Sequence, residues 1–318
     1  MVIISHQQLR SVCSRIIQAA GSSPEEAKIV SDHLVEGNLL GVDSHGVQFL
    51  PGYIDRVLGK AKAEWGEHHI LKVTPNAKLT VQKETPTTAH VDGGGGYGQV
   101  GAIKAMEVAI SKAKTSGIGI VTAENFDHVG RVGAYPLMAA REDLIGIIFA
   151  KNNPVMAPLG GKVRSIGNDP IAFAMPSEEE PVLIDMAMSA VAGGKVILAK
   201  SKGESIPLGW ALDPDGNPTT DPDGFIKGNE RNPMGGVLLP MAAHKGYALG
   251  VIVEVLGGIL SGMGALDAGK LTNSIFLMAI SVESFMPLSE FKSKTSQMAK
   301  DLRNSPRAPG VNEIICPG

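Results

Sequence analysis

Between residues 70 and 149 the chain alternates short apolar runs of β type with segments of helical periodicity. The runs lie at 70–73, 77–81, 87–91, 118–121 and 145–149, and helical patterns over 100–113 and 134–140 separate the last three. Strands that alternate with helices are joined by crossovers, which predicts βαβ units and an α/β fold. Composition agrees with this. Thirty-nine glycines and only 4% aromatic residues imply small aliphatic core side chains and many tight turns. At the usual domain size, 318 residues suggest roughly two domains.

The first quarter reads as helical. Ser5-His6-Gln7-Gln8 is a capping box ahead of Leu9, Val12, Ile16 and Ile17, and Gly21 stops that helix. Ser23-Pro24-Glu25-Glu26 offers an N-cap, a first-turn proline and early carboxylates to a second helix bearing Ala27, Val30, Leu34 and Val35. A polar knot, Gly41-Val42-Asp43-Ser44-His45-Gly46, interrupts the pattern, and Pro51, Tyr53, Ile54 and Val57 mark a third helix. Much later, residues 213–224 are turn chemistry and read as an exposed loop.

Several function classes are excluded early. A net charge of −3 with 19% charged residues gives no footprint for nucleic acid. The apolar stretch 246–266 is long enough to span a bilayer, but Glu254 at its centre would be costly in lipid, so a buried helix is expected and no membrane role. Two cysteines, Cys13 and Cys316, form neither a disulfide framework nor a metal cluster, and the first six residues have no signal-peptide pattern. A soluble, cytoplasmic protein without a bound metal is expected.

Gly93, Gly95 and Gly98 fit G-x-G-x-x-G after a predicted strand, with Glu124 at the end of the next. Four glycines in a row satisfy that pattern too easily, and a tight turn is favoured over a dinucleotide fingerprint. The chemistry lies elsewhere. His45 stands beside Ser44 and Asp43, and His128 stands in Asn125-Phe126-Asp127-His128-Val129-Gly130-Arg131. Imidazoles titrate near neutrality and suit proton transfer. A helix starting at this knot would put Arg131 and His128 on one face; the alternative is an Asp127 cap with an exposed His128. Asn152 follows one strand and Asp185 ends another, where α/β proteins place ligand loops. Lys245 precedes the Gly-rich helix, where an anion such as a nucleotide phosphate is favoured.

Taken in order, Ser44-His45-Gly46-Val47, the 125–130 knot, Asn152-Asn153-Pro154 with Pro158-Leu159-Gly160-Gly161, Asp185-Met186-Ala187, Gly209-Trp210-Ala211-Leu212-Asp213 and His244-Lys245-Gly246-Tyr247 resemble the malate/L-lactate dehydrogenase family. That family also holds ureidoglycolate, sulfolactate and diketogulonate oxidoreductases and cyclic-imine carboxylate reductases. The resemblance spans nearly the whole chain. It implies an NAD(P)-dependent oxidoreductase with a non-Rossmann cofactor domain (residues 118–290), a discontinuous helical and sheet domain for substrate and dimerisation (1–117 plus 291–318), and a homodimer. By position it implies that His45 matches the family's proton donor and that His128 matches the histidine assigned as proton acceptor in ureidoglycolate dehydrogenases; either histidine could serve, and the sequence does not decide which. It also implies substrate contact at Ser44. Cofactor contacts are implied at Asn152, Ile184, Asp185, Met186, Ala187, His244 and Lys245.

Two departures qualify the match. Related members carry an Arg soon after Ser-His-Gly-Val, whereas Gln48-Phe49-Leu50 stands here, so Arg131 is expected to clamp the substrate carboxylate instead. The family's Gly-Thr-Asn-Pro turn reads Gly167-Asn168-Asp169-Pro170, and the added carboxylate is expected to repel an anionic ligand. The leading expectation is hydride transfer between nicotinamide and C2 of a small 2-oxo or 2-hydroxy acid. Reduction of a cyclic imine carboxylate, with Phe49 shaping a compact pocket, is the alternative. A nucleotide-binding protein without catalysis is a third, against which the two histidines argue.

Overall fold

The computed structural model describes residues 3–60, 72–228, 235–263 and 273–317. The capping box forms as expected: the Ser5 hydroxyl accepts from the Gln8 backbone N–H and the Gln8 side chain accepts from that of Ser5, both at 3.2 Å, to start α1 (His6–Ala19). At α2 (Pro24–Leu39) the Ser23 hydroxyl accepts from the Glu26 N–H, while the Ser23 N–H donates to the Asn76 side chain. Single 3₁₀ turns at Asp43–His45 and Val47–Phe49 lead into α3 (Leu50–Val57). Ile17, Val30, Leu34, Tyr53 and Tyr97 close one apolar core among these helices.

The strand expected at 70–73 lies partly outside the described residues, and 72–74 are irregular. The strand expected at 77–81 starts later, as β1 (Thr80–Glu84). Then follow β2 (Thr88–Gly96), α4 (Gly98–Ser116), β3 (Ile118–Phe126), α5 (Ala134–Ala140), β4 (Leu144–Lys151), β5 (Ile171–Met175), β6 (Val182–Met186) and α6 (Gly193–Lys202). A small sheet comes next, from β7 (Ala211–Leu212), β8 (Pro218–Thr219) and β9 (Val237–Leu238); β8 and the start of α7 (Pro222–Ile226), with Pro222 buried, occupy the stretch expected to be an exposed loop. The chain finishes with α8 (His244–Val253), β10 (Asn273–Ser281) and α9 (Leu288–Arg303).

Seven strands form the main sheet in the order β1-β2-β3-β10-β4-β5-β6. Only β2 and β3 pair in parallel, joined by α4, so the sheet is mixed and holds one βαβ unit rather than a series. The reason is β10. It arrives from far along the chain, slots between β3 and β4 antiparallel to both, and so replaces the expected parallel neighbour. The first five residues of β10 are buried, so its apolar run serves both faces of the sheet. Because β3 is hydrogen-bonded to β2 on one edge and β10 on the other, the sheet is continuous across residue 117. Helix α9 rests on the far strands: Lys292 pairs with Asp143 at 2.9 Å, and Ala299 and Cys316 pack with Val182.

The four-glycine run is part of β2. Gly94 and Gly95 take left-handed backbone (φ +64° and +75°), and the β2–β3 register slips between Asp92 and Gly96. These glycines serve packing. A Cβ at Gly93 would stand 2.7 Å from the Phe126 ring, and one at Gly98 would collide with the Asp127 carbonyl oxygen.

Helix α8 differs from the buried helix expected. Past Val253 it widens into a π turn (Glu254–Gly258) that aims Glu254 inward, then tightens to a 3₁₀ turn and stops at Gly262. Its other face is open: Val251, Ile252, Val255, Ile259 and Leu260 are exposed, Leu260 to 57%. Among the described residues, no helix is long and apolar enough to cross a membrane, and no side-chain group could hold a metal ion.

Candidate active site

Two segments far apart in sequence bring two imidazoles together. The 3₁₀ turn before α3 presents His45, and the irregular segment after β3 presents His128; their rings stack with centroids 5.7 Å apart. Phe49 lies across both, 5.1 Å from His128 and 5.9 Å from His45. The segment 128–131 is not helical, so Arg131 and His128 do not share a helix face, and His128 is half-buried rather than exposed. Gly130 breaks any helix there with φ +72°, and its missing Cβ leaves the space that His33 fills.

A hydrogen-bond chain fixes the His128 ring. The Gln99 side-chain amide donates to the Tyr53 hydroxyl at 2.9 Å, which leaves the Tyr53 proton for His128 Nδ1 at 2.8 Å. The neutral ring therefore carries its proton on Nε2. Tyr53 is held from its other side by Arg56, which stands 4.9 Å over the Tyr53 ring and donates to the Asp127 carboxylate at 2.9 Å. His45 is oriented by Ser44, whose hydroxyl lies 3.1 Å from His45 Nδ1. The first turn of α6 packs closely on Ser44, a Cβ at Gly194 standing 3.2 Å from the Ser44 Cβ.

Burial keeps these histidines neutral. It pulls His45 down to about 4, with the Arg131 cation adding to the effect, and His33 down to about 3. His128 is held well below its usual value by burial first, then by His45, Arg56 and His33. His33 in turn accepts the Arg131 backbone N–H at 2.9 Å and stacks on Tyr135.

Arg131 is itself 95% buried, yet it is poorly matched. Its guanidinium reaches Glu36 at 3.6 Å, and its Nε has no partner. Two residues on, the Gly133 N–H donates to the Asp185 carboxylate at 2.8 Å, which ties this loop to β6.

A second set of segments meets beyond Asp185. The Asn152 amide donates to the Asn168 side chain at 3.0 Å, Met188 N–H donates to the Asn168 carbonyl at 2.8 Å, and Met241 N–H donates to the Met188 carbonyl at 2.8 Å. Asn152, the end of β6 and the start of α8 thus form one hydrogen-bonded rim. Ile184 is half-buried on β6 against Phe173, Met186 and Ala187 follow it, and His244 and Lys245 are exposed in the first turn of α8. Ala242 and Ala243 enter that helix with φ of +46° and +54°, a conformation costly for any residue with a Cβ. Asp169 does not face this rim. It is fully buried beneath α8, where its Oδ1 accepts from the Asn152 backbone, so the expected repulsion of a ligand is replaced by an interior contact.

Sequence reasoning missed Tyr53, Gln99, His33 and Glu36. Tyr53 and His33 sit on helix faces that also carry core residues, and their polar tips give no separate signal.

Comparison with known proteins shows the family of the chain. The chain is 40% identical over 317 residues to malate dehydrogenase of Pyrococcus horikoshii, covering 98% of this chain and 85% of that one. The solved malate dehydrogenase structure from that organism superposes with a TM-score of 0.85 at 37% identity, over 100% of this chain and 86% of that one. L-sulfolactate dehydrogenase of Methanocaldococcus jannaschii is 35% identical, over 100% of this chain and 88% of that one. At greater distance, delta1-piperideine-2-carboxylate reductase from Pseudomonas syringae matches with a TM-score of 0.83 at 26% identity, over 98% of this chain and 91% of that one. The chain is an oxidoreductase of the kind that acts on a CH–OH group, a 2-hydroxy acid dehydrogenase. Residues 4–318 match the family profile described as malate/L-lactate dehydrogenase, and the chain belongs to that family.

Proposed function

We propose that this dehydrogenase moves a hydride between a nicotinamide cofactor, NAD or NADP, and C2 of a small 2-oxo or 2-hydroxy acid, with His45 and His128 handling the hydroxyl proton. The observation that carries this reading is the pair of stacked neutral imidazoles, one with its tautomer fixed through Tyr53 and Gln99, beside a buried guanidinium with an unpaired N–H. A neutral imidazole can take the proton of a 2-hydroxyl group, and Arg131 can hold the neighbouring carboxylate in two-point contact. Ser44 sets the His45 ring.

The rim residues fit a nicotinamide nucleotide. Asn152 Oδ1 is buried without a partner, an acceptor suited to the carboxamide N–H. Helix α8 has no capping side chain, so its first N–H groups, with Lys245, suit a phosphate. When bound, the nicotinamide supplies or accepts the hydride at its C4. Met186, Ala187, Ile184, Asp185 and His244 then line the nucleotide's path.

A second reading, reduction of a cyclic imine carboxylate, is favoured by Phe49, whose ring lies nearly parallel to His128 and walls the pocket with a flat face. Absorbance assays of NADH and NADPH consumption against 2-oxo acids and cyclic imine carboxylates decide between them. Turnover of 2-oxo acids, with a raised KM in Arg131→Ala, supports the leading reading; turnover of imines alone overturns it. A homodimer is part of the proposal, supported by the uncovered apolar face of α8, as is a cytoplasmic location with both cysteines reduced.

A further inference from the structure

Beneath α8 lies a buried charged cluster that takes no part in the chemistry above. It consists of Lys151 at the end of β4, Asp169 in the turn after Gly167, and Glu254 in the π turn, exposed to 2%, 0% and 4%. One oxygen of each carboxyl holds backbone: Asp169 Oδ1 accepts from the Asn152 N–H and Glu254 Oε1 from the Gly167 N–H, both at 3.2 Å. The other oxygens, Asp169 Oδ2 and Glu254 Oε2, are buried with no donor, although the two side chains lie within hydrogen-bonding reach of each other. Ionised carboxylates only accept, so two facing carboxylate oxygens leave both unsatisfied. One proton between them makes a donor and an acceptor.

Charge counting gives the same answer. Lys151 is the charged group that faces the pair from β4, and the turn and helix contribute only the pair itself. One cation and two carboxylates leave a buried net charge of −1, and a single retained proton brings it to zero. Gly257 lets the π turn pack closely on β4, since a Cβ there would stand 3.3 Å from the Lys151 backbone nitrogen.

We propose that Asp169 and Glu254 share one proton, as a carboxylic acid hydrogen-bonded to a carboxylate, and that this shared proton positions the Asn152–Asn168 turn against helix α8. Burial and mutual repulsion raise the affinity of Asp169 for a proton, and burial raises that of Glu254 against the opposing pull of Lys151. Asp169 has left-handed backbone (φ +38°), a strained conformation that its side-chain contacts hold in place. Above the pH at which the proton leaves, two anions face each other and the turn bearing Asn152 is released. The two residues are positioning residues. The consequence for nucleotide affinity rests on the cofactor reading given above; the shared proton does not.

The test compares wild type with Asp169→Asn, Glu254→Gln and the double variant. In wild type, stability falls as pH rises above the ordinary carboxylate range, because the unfolded chain loses a proton that the folded one keeps. Each single amide can donate to the remaining carboxylate and balances Lys151, so each single is at least as stable as wild type at pH 8, with a thermal midpoint that declines less as pH rises. The double variant leaves Lys151 unbalanced and melts below both. Infrared difference spectra show a protonated-carboxyl stretch in wild type at neutral pH that both singles lack. Wild-type affinity for NADH or NADPH, read by fluorescence, weakens about tenfold per pH unit once the proton leaves, and is flat in the singles.

Two singles as unstable as the double, pH–stability profiles parallel to wild type, or no protonated carboxyl in wild type overturn the shared proton. A flat wild-type affinity overturns its positioning role. If neither nucleotide binds wild type at any pH, the cofactor reading fails, and the infrared and melting results still decide the proton.

Discussion

At the scale of single residues, two half-buried imidazoles depend on polar supports that are themselves buried. Tyr53→Phe removes the proton that fills His128 Nδ1 and leaves the Gln99 N–H without an acceptor. Without that partner the His128 proton is no longer held on Nε2; a positioned general base contributes about 10²–10⁴-fold, so kcat should fall at least about tenfold with KM nearly unchanged, as steady-state kinetics would show. Arg131 acts through charge as well as contact, because its cation helps hold the His45 imidazole neutral. In hydroxy-acid oxidation the imidazole must be unprotonated, so with His45 as the base the acid limb of kcat/KM should lie near 4 in wild type. Arg131→Gln removes the cation but leaves the burial, so the limb should move up while staying below the ordinary imidazole value, and KM for the acid should rise. A limb that stays in place would show that Arg131 does not face His45. The histidines themselves were legible in the sequence, because imidazoles beside Asp and Ser in polar knots stand out. Their supports were not, since Tyr53, Gln99 and His33 come from helices whose apolar spacing accounts for them without any polar role.

At the scale of elements, glycine decides where the knots sit. Gly98 opens α4 where a side chain would strike the Asp127 carbonyl, and so lets the 125–131 segment pass close to the helix start. Gly98→Ala should push Asp127 and His128 outward. Overpacking of this kind costs about 1–3 kcal/mol, so the thermal midpoint and kcat should both fall, as calorimetry and kinetics on one preparation would show. The glycine run thus has a physical use other than phosphate binding, and its likeness to a nucleotide fingerprint arises from composition. Helices were read well because caps and spacing are local: Ser5 and Ser23 cap as expected, and α5 occupies the expected residues. Strand pairing is not local. Nothing near 273–281 announces that this run will part β3 from β4, so a mixed sheet could not be distinguished from a parallel one.

At the scale of the whole molecule, the site is assembled from both halves of the sequence. The proton-handling cluster joins α2, the 43–45 turn, α3, α4 and the segment after β3, and Asp185 links it to the rim formed by β4, β6 and α8. Helix α8 serves two surfaces. Its first turn borders the rim, and the apolar row from Val251 to Leu260 stands uncovered. A second copy should cover that row, so Ile259→Asp should weaken self-association by about a hundredfold or more, because an unpaired charge buried in an interface costs several kcal/mol. Light scattering over a concentration series would show the shift from dimer to monomer, and an unchanged dimer would place the interface elsewhere. The central claim concerns the hydride, and it is tested most directly by an isotope. A 2-hydroxy acid carrying deuterium at C2 should be turned over with the cofactor that supports activity, and the reduced cofactor examined by NMR. The account predicts deuterium on C4 of the nicotinamide; deuterium found only in solvent, or retained at C2 of the product, would contradict it.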